Sequence, residues 1–95
     1  MLVKILYEVQ VDERVTKDLK AVPEYIIDKF IEILDELEIN PFKRRSGVDI
    51  KRLVGHPDIY RVRIGNYRAL YSVDKNNHIV KITMFVHRKK AYRKR

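Results

Sequence analysis

The 95-residue chain contains no cysteine, only three glycines and three prolines, and a single glutamine, Gln10. Without cysteine there is no disulfide, no thiolate zinc site and no thiol nucleophile. The three histidines, His56, His78 and His87, are scattered and lack the close spacing of metal ligands, so neither a metal nor another cofactor is expected. No apolar run approaches the ~18 residues of a membrane span, which excludes an integral membrane protein with helical spans. The opening Met1-Leu2-Val3-Lys4 has no basic region leading into a cleavable apolar core, so the reading is a cytoplasmic protein without a secretory leader. Low-complexity tracts are absent too, and with 45% hydrophobic residues the chain is expected to fold as one domain spanning 1–95.

Acidic residues are scarce in one place only. The first 40 residues carry 5 basic and 10 acidic side chains, whereas residues 41–95 carry 16 basic and 3 acidic ones. The net charge of +8 is therefore the sum of an acidic half and a strongly basic half. Such polarity points to a polyanion-facing surface, with nucleic acid as the first candidate partner.

Periodicity sorts the same two halves. Residues 2–10 alternate, with Val3, Ile5, Tyr7 and Val9 on one face, as in a half-buried strand. Asp12 suits the N-cap of a short helix running to about Lys20, and Pro23 suits the first turn of a second helix. That second helix places Ile26, Ile27, Phe30, Ile31, Leu34 and Leu37 on one stripe, and Asn40-Pro41 ends it. Three strand-like stretches follow: Tyr60–Ile64, Tyr67–Asp74 and about His78–Val86. Gly65-Asn66 is a two-residue hairpin signal between the first two. The expected fold class is α+β: an N-terminal strand, an antiparallel helix pair, then a three-stranded antiparallel meander packed on the helices. Five of the tyrosines, Tyr7, Tyr25, Tyr60, Tyr67 and Tyr71, are expected at core or half-buried positions.

The hairpin signal fixes a register. With Gly65-Asn66 in the turn, Ile64 faces Tyr67, Arg63 faces Arg68, Val62 faces Ala69 and Arg61 faces Leu70. Period two then sets Arg61, Arg63 and Arg68 on one sheet face, while Tyr60, Val62, Ile64, Ala69, Tyr71 and Val73 turn to the helices. Exposed arginines on an antiparallel sheet are ordinarily just solvated. Like charges directly opposite each other are destabilising, however, so the Arg63–Arg68 pairing favours an anion held between them. Strict alternation along the last strand expects Lys81, Thr83 and Phe85 on the same open face, with Val80, Ile82, Met84 and Val86 in the core. Phe85 would then offer a base-stacking surface. Arg88 and Tyr92 fall at the sheet rim beside His87. Further candidate RNA contacts are Lys43, Arg44, Arg45, Lys51, Arg52, Lys89 and Lys90.

The stretch from Leu53 through Gly55-His-Pro-Asp-Ile-Tyr60-Arg61-Val-Arg63-Ile-Gly65-Asn-Tyr67-Arg68 to Tyr71, followed by Val86-His87-Arg88 and Tyr92, resembles the RelE branch of the RelE/ParE toxin superfamily. The resemblance implies the toxin of a toxin–antitoxin pair that enters the ribosomal A site and cuts mRNA, neutralised by a cognate antitoxin that is expected to be small and acidic. It implies a metal-independent endoribonuclease with Arg61, Arg63, Arg68, Arg88 and Tyr92 as its catalytic set and His87 as a candidate for proton transfer. Arg61 and Arg63 stand where the family often has lysine, and a guanidinium cannot deprotonate to act as a base. A non-catalytic binder on the same fold is the alternative: a ParE-like toxin directed at gyrase, or an inactive domain that grips RNA or antitoxin.

Overall fold

A computed structural model describes residues 5–91, with the side chains placed through residue 90. The elements in chain order are β1 (Glu8–Val11), α1 (Glu13–Asp18) running into a 3-10 turn (Leu19–Ala21), α2 (Glu24–Ile39), β2 (Ile50–Arg52), β3 (Ile59–Ile64), β4 (Tyr67–Asp74), β5 (Ile79–His87) and α3 (Arg88–Ala91). The fold is α+β, with the strand, helix pair and meander in the expected order.

Local chemistry explains the boundaries. The Asp12 carboxylate accepts from the backbone N–H of Arg14 at 2.8 Å and so starts α1. The Arg14 side chain also donates to it, and these bonds hold the Asp12 carboxyl below the usual carboxylate range. Asn40 leaves helical geometry at the end of α2, and its side-chain oxygen accepts from the N–H groups of Phe42 and Lys43 at 2.9 and 3.0 Å. Gly65 takes φ +60° at the first central position of the β3–β4 turn, the residue and place a type II′ hairpin requires.

The meander grows at both sides into a five-stranded sheet of order β1-β5-β4-β3-β2. β1 joins parallel to β5, with Val9 beside Val80, and β2 joins antiparallel to β3, with Lys51 beside Arg61. The β3–β4 register is the expected one throughout, Arg63 facing Arg68 and Val62 facing Ala69. The core lies between the sheet and the helices, where Val15, Ile26, Phe30, Ile33 and Leu37 meet Val62, Ile64, Ala69, Tyr71, Val80 and Ile82.

Three expectations are corrected. Along α2 the buried stripe is Ile26, Phe30, Ile33 and Leu37, spaced i, i+4, i+7 and i+11; Ile31, a hundred degrees off this line from Phe30, is exposed. Tyr25 is exposed as well. The third correction matters for function. The β4–β5 register shifts between Leu70, which pairs with Met84, and Tyr71, which pairs with Ile82. Thr83 is the extra residue, and such a bulge inverts the alternation beyond it. Phe85 therefore turns into the core at 2% exposure, stacked on Tyr67 with centroids 5.4 Å apart and tilted against Phe30 at 4.9 Å. Met84 emerges on the open face at 46% exposure.

Candidate nucleic-acid interface

The face of the sheet turned away from the helices carries Arg61 and Arg63 from β3 and Arg68 from β4. Their common side follows from the β3–β4 register, which the Gly65 turn sets by closing the hairpin. Arg88 arrives at the end of β5, where its backbone N–H donates to the carbonyl of Asn66 at 2.7 Å. That bond ties the start of α3 to the hairpin tip.

Two concavities meet at the Arg63–Arg68 pair. One, of about 430 Å³, has Leu70, Met84 and Val86 among its apolar lining and Lys51, Arg52, Arg61, Arg63 and Arg68 as its cations. The other, of about 350 Å³, is lined by Arg63, Gly65, Arg68, Arg88 and Lys89. The volumes are those of sites that hold small ligands. A cationic hollow joined to one with an apolar floor suits a group that is anionic at one end and planar and apolar at the other.

Arg61 departs from the picture of a solvated strand residue, being 8% exposed. Its Nη1 lies 3.7 Å from an oxygen of Asp49. The same carboxylate is 3.7 Å from Nε of Arg63 and 3.5 Å from Nε of Arg44. Asp49 is held there by its backbone, whose carbonyl accepts from the N–H of Arg63 at 3.1 Å. The loop that carries it is anchored from beneath: the Tyr71 hydroxyl donates to the carbonyl of Pro41 at 2.7 Å. Burial, and then the neighbouring Tyr60, push the Tyr71 phenol far above its ordinary value, so it remains a donor. Asp49 was not among the candidate residues. Its signal in the sequence is that of one of three acids in a basic stretch of 55 residues.

The remaining candidates divide. Lys51 and Arg52 border the larger concavity and Lys89 the smaller. Arg44 lines neither concavity and pairs with Asp49 at their edge, and Lys43 is exposed on the loop before it. Lys81 is exposed beside Ser72, four residues along β4 from Arg68 and so about 13 Å away, and it lines neither concavity. Arg45 is diverted to a structural task. Its guanidinium donates to the Glu36 and Asn40 carbonyls at 2.8 and 3.1 Å and pairs with the Glu36 carboxylate, closing the C-terminal end of α2. Phe85 offers no stacking surface to the groove, for the reason given above. His87 follows Phe85 in parity and lies on the helix side of the sheet. Its ring meets Tyr67 edge-on at 5.1 Å, its Nδ1 accepts from the Lys89 N–H at 3.2 Å, and it shares a separate hollow with Lys17, Lys20 and Lys90. The structure thus takes His87 away from the arginines it was expected to serve. Tyr92 lies outside the described residues.

Among the described residues no helix is long and apolar enough to cross a membrane, and no group of three or more His, Asp or Glu is placed to hold a metal ion. Fold and face together define a small α+β protein whose open sheet is a cationic groove. Residues 9–92 match the family model of the ParE toxin of the type II toxin–antitoxin system parDE. The chain is 39% identical over 87 residues to the "Putative toxin RelE1" of Methanocaldococcus jannaschii, covering 92% of this chain and 96% of that protein. Its structure superimposes on the archaeal RelE–RelB complex of Pyrococcus horikoshii with a TM-score of 0.77 at 34% identity, over 87% of this chain and 96% of that one. The isolated RelE toxin of E. coli has the same fold, with a TM-score of 0.70 at 22% identity over 85% of this chain and 83% of that one. The chain belongs to the RelE/ParE superfamily of type II toxin–antitoxin toxins, and to its RelE branch.

Proposed function

We propose that this toxin is a ribosome-dependent endoribonuclease that cuts mRNA in the A site and so stops translation. The observation that carries the reading is the cross-strand pair Arg63–Arg68, set between Arg61 on one side and Arg88 on the other. Like charges paired across a ladder are destabilising, a repulsion that the Asp49 carboxylate 3.7 Å from Arg63 already eases. A phosphodiester between them would relieve that repulsion.

The reaction is attack of a ribose 2′-oxygen on the adjacent phosphorus, with expulsion of the 5′-oxygen of the next nucleotide. The phosphorane formed on the way carries two negative charges, and fixed donors aimed at it stabilise it more than the ground state. Arg63, Arg68 and Arg88 are assigned to that phosphate, and Arg61 to the flanking backbone. Met84, Val86 and Leu70 form the floor on which a neighbouring base would rest, the role first expected of Phe85. The arginines keep their protons, so they bind and orient but do not serve as the general base. Tyr92, which the family resemblance offers for the role, is assigned the 2′ proton. No metal or cofactor is assigned. DNA lacks the 2′-oxygen and would not react.

The partner that silences the toxin is proposed to be a small acidic antitoxin, since relatives of this chain are found as RelE–RelB complexes. The ribosome and its mRNA are the proposed targets, and the cytoplasm the proposed place of action. The test is to map mRNA 5′ ends on translating ribosomes. Wild type should generate discrete new ends, Arg68→Ala should lower the rate about 10²–10³-fold, as for loss of one charge-stabilising donor, and Tyr92→Phe should lower it as well. No cleavage by wild type, or full activity in Arg68→Ala, would overturn the reading.

A second reading is favoured by one observation, the match to a family model described as the ParE toxin. A gyrase-directed toxin would inhibit supercoiling of plasmid DNA and leave mRNA intact. The four arginines give that target no evident use.

A further inference from the structure

Asp49 lines neither concavity, but its carboxylate stands beside Arg61 and Arg63, two of the arginines assigned to the RNA backbone. A carboxylate among phosphate-binding arginines costs affinity by like-charge repulsion, so its presence calls for a reason. Four observations supply one. Arg61 is nearly buried, and a buried guanidinium needs a counter-charge whether or not RNA is present. The Asp49 carboxylate lies within 3.7 Å of Arg61, Arg63 and Arg44 together. These separations, 3.5 to 3.7 Å, exceed the 2.7–2.9 Å typical of tight charge-assisted hydrogen bonds. The contacts are close enough to neutralise and loose enough to be exchanged. The backbone bond from Arg63 to the Asp49 carbonyl keeps the carboxylate beside the site after its arginines turn elsewhere.

We infer that Asp49 is a built-in counter-anion: it occupies the arginines of the empty groove and yields them to an RNA phosphate. It is a positioning and selectivity residue. In the free protein it keeps Arg61 and Arg63 folded over the groove, and it sets a threshold that an isolated phosphodiester must overcome. A strand presented in the correct path, contacting Arg68 and Arg88 at the same time, exceeds that threshold; a stray polyanion does not. The inference rests on the reading of the groove as a phosphate site.

The test is binding of a short fluorescent oligouridylate, followed by anisotropy from about 50 to 200 mM salt. Asp49→Asn should bind about fivefold more tightly at low salt, the effect of deleting one unit charge ~4 Å from a phosphate in a water-like dielectric. Its log–log salt slope should steepen by about 0.7, one more cation being available to the single strand. Asp49→Glu should restore the wild-type affinity and slope. Asp58→Asn, which removes an exposed acid of the Gly55–Asp58 turn with the same change in net charge, should change neither. A purely structural role for Asp49 predicts weaker binding in Asp49→Asn, and that result would overturn the inference. So would an equal gain from Asp58→Asn, or lost cleavage on ribosomes with unchanged RNA affinity. If Asp49→Asn is unfolded in low-salt buffer, pyrophosphate must restore its unfolding transition by replacing the missing charge; failure to do so also refutes the idea. Arg68→Ala in the same assay separates the two levels. If Arg68→Ala weakens binding and Asp49→Asn does not strengthen it, only the counter-anion is wrong. If Arg68→Ala binds as wild type does, the groove itself is wrong.

Discussion

Replacing Gly65 by alanine tests the hairpin on which the arginine geometry depends. Two costs can be separated. The backbone sits at φ +60°, a conformation that costs an L-residue about 1–2 kcal/mol. An added Cβ would also lie 2.7 Å from Cδ1 of Ile26, a side chain 1% exposed, so that methyl would have to shift against its packed neighbours. Overpacking of that kind costs about 1–3 kcal/mol. Gly65→Ala should therefore lose about 2–5 kcal/mol in all. Ile26→Val removes the clashing methyl at a cost of about 0.5–1.5 kcal/mol. In that background Gly65→Ala should lose only the backbone part, about 1–2 kcal/mol, leaving a coupling of about 1–3 kcal/mol between the two positions. Urea unfolding of the four proteins, followed by circular dichroism at constant m-value, measures the cycle. Additivity within about 0.5 kcal/mol would refute the reasoning, because it would mean that the turn does not press on α2.

Other consequences are more direct. Phe85→Ala should cost about 3–5 kcal/mol in urea unfolding, while its folded fraction binds RNA with wild-type affinity; loss of affinity at full stability would return Phe85 to the groove. Met84→Glu should do the reverse, weakening oligouridylate binding with little change in stability. Arg45→Ala should lose about 1.5–3 kcal/mol through the charged hydrogen bonds to the Glu36 and Asn40 carbonyls that it removes, with RNA binding unchanged by anisotropy. The Asn77 side chain and backbone, donating to Asp74, lower its carboxyl below 3.8. That contribution is present above 3.8 and is lost as pH falls through the lowered value, so Asp74→Asn should flatten the acid limb of stability against pH in a thermal-melt series.

How much of this was legible in the sequence depends on whether a feature was set locally. The β3–β4 register follows from two adjacent residues, Gly65 and Asn66, and it alone brings Arg63 opposite Arg68. Asp12, Pro23 and Asn40 marked helix ends because capping is a matter between near neighbours. The bulge at Thr83 was not legible: a period-two reading has no way to see one extra residue that arises only from pairing with β4. It exchanged Phe85 for Met84 on the open face and took His87 to the other side. The parallel partnership of β1 with β5 and the three-residue β2 likewise depend on contacts distant in sequence. Charge counting put Arg45 and Arg61 among the available cations. Arg45 is committed to a helix end and Arg61 to a near-buried site beside Asp49, facts that reside in packing.

The central claim is that the open arginine face stabilises a phosphorane formed by a ribose 2′-oxygen. The chemical form of the upstream fragment's new 3′ end, read by mass spectrometry after cleavage of a defined mRNA on ribosomes, tests it most directly. The account predicts a 2′,3′-cyclic phosphate or the 3′-phosphate formed when it opens, with Arg68→Ala yielding little of either. A free 3′-hydroxyl would mean that water, and not the neighbouring ribose, attacks the phosphorus, and it would contradict the account.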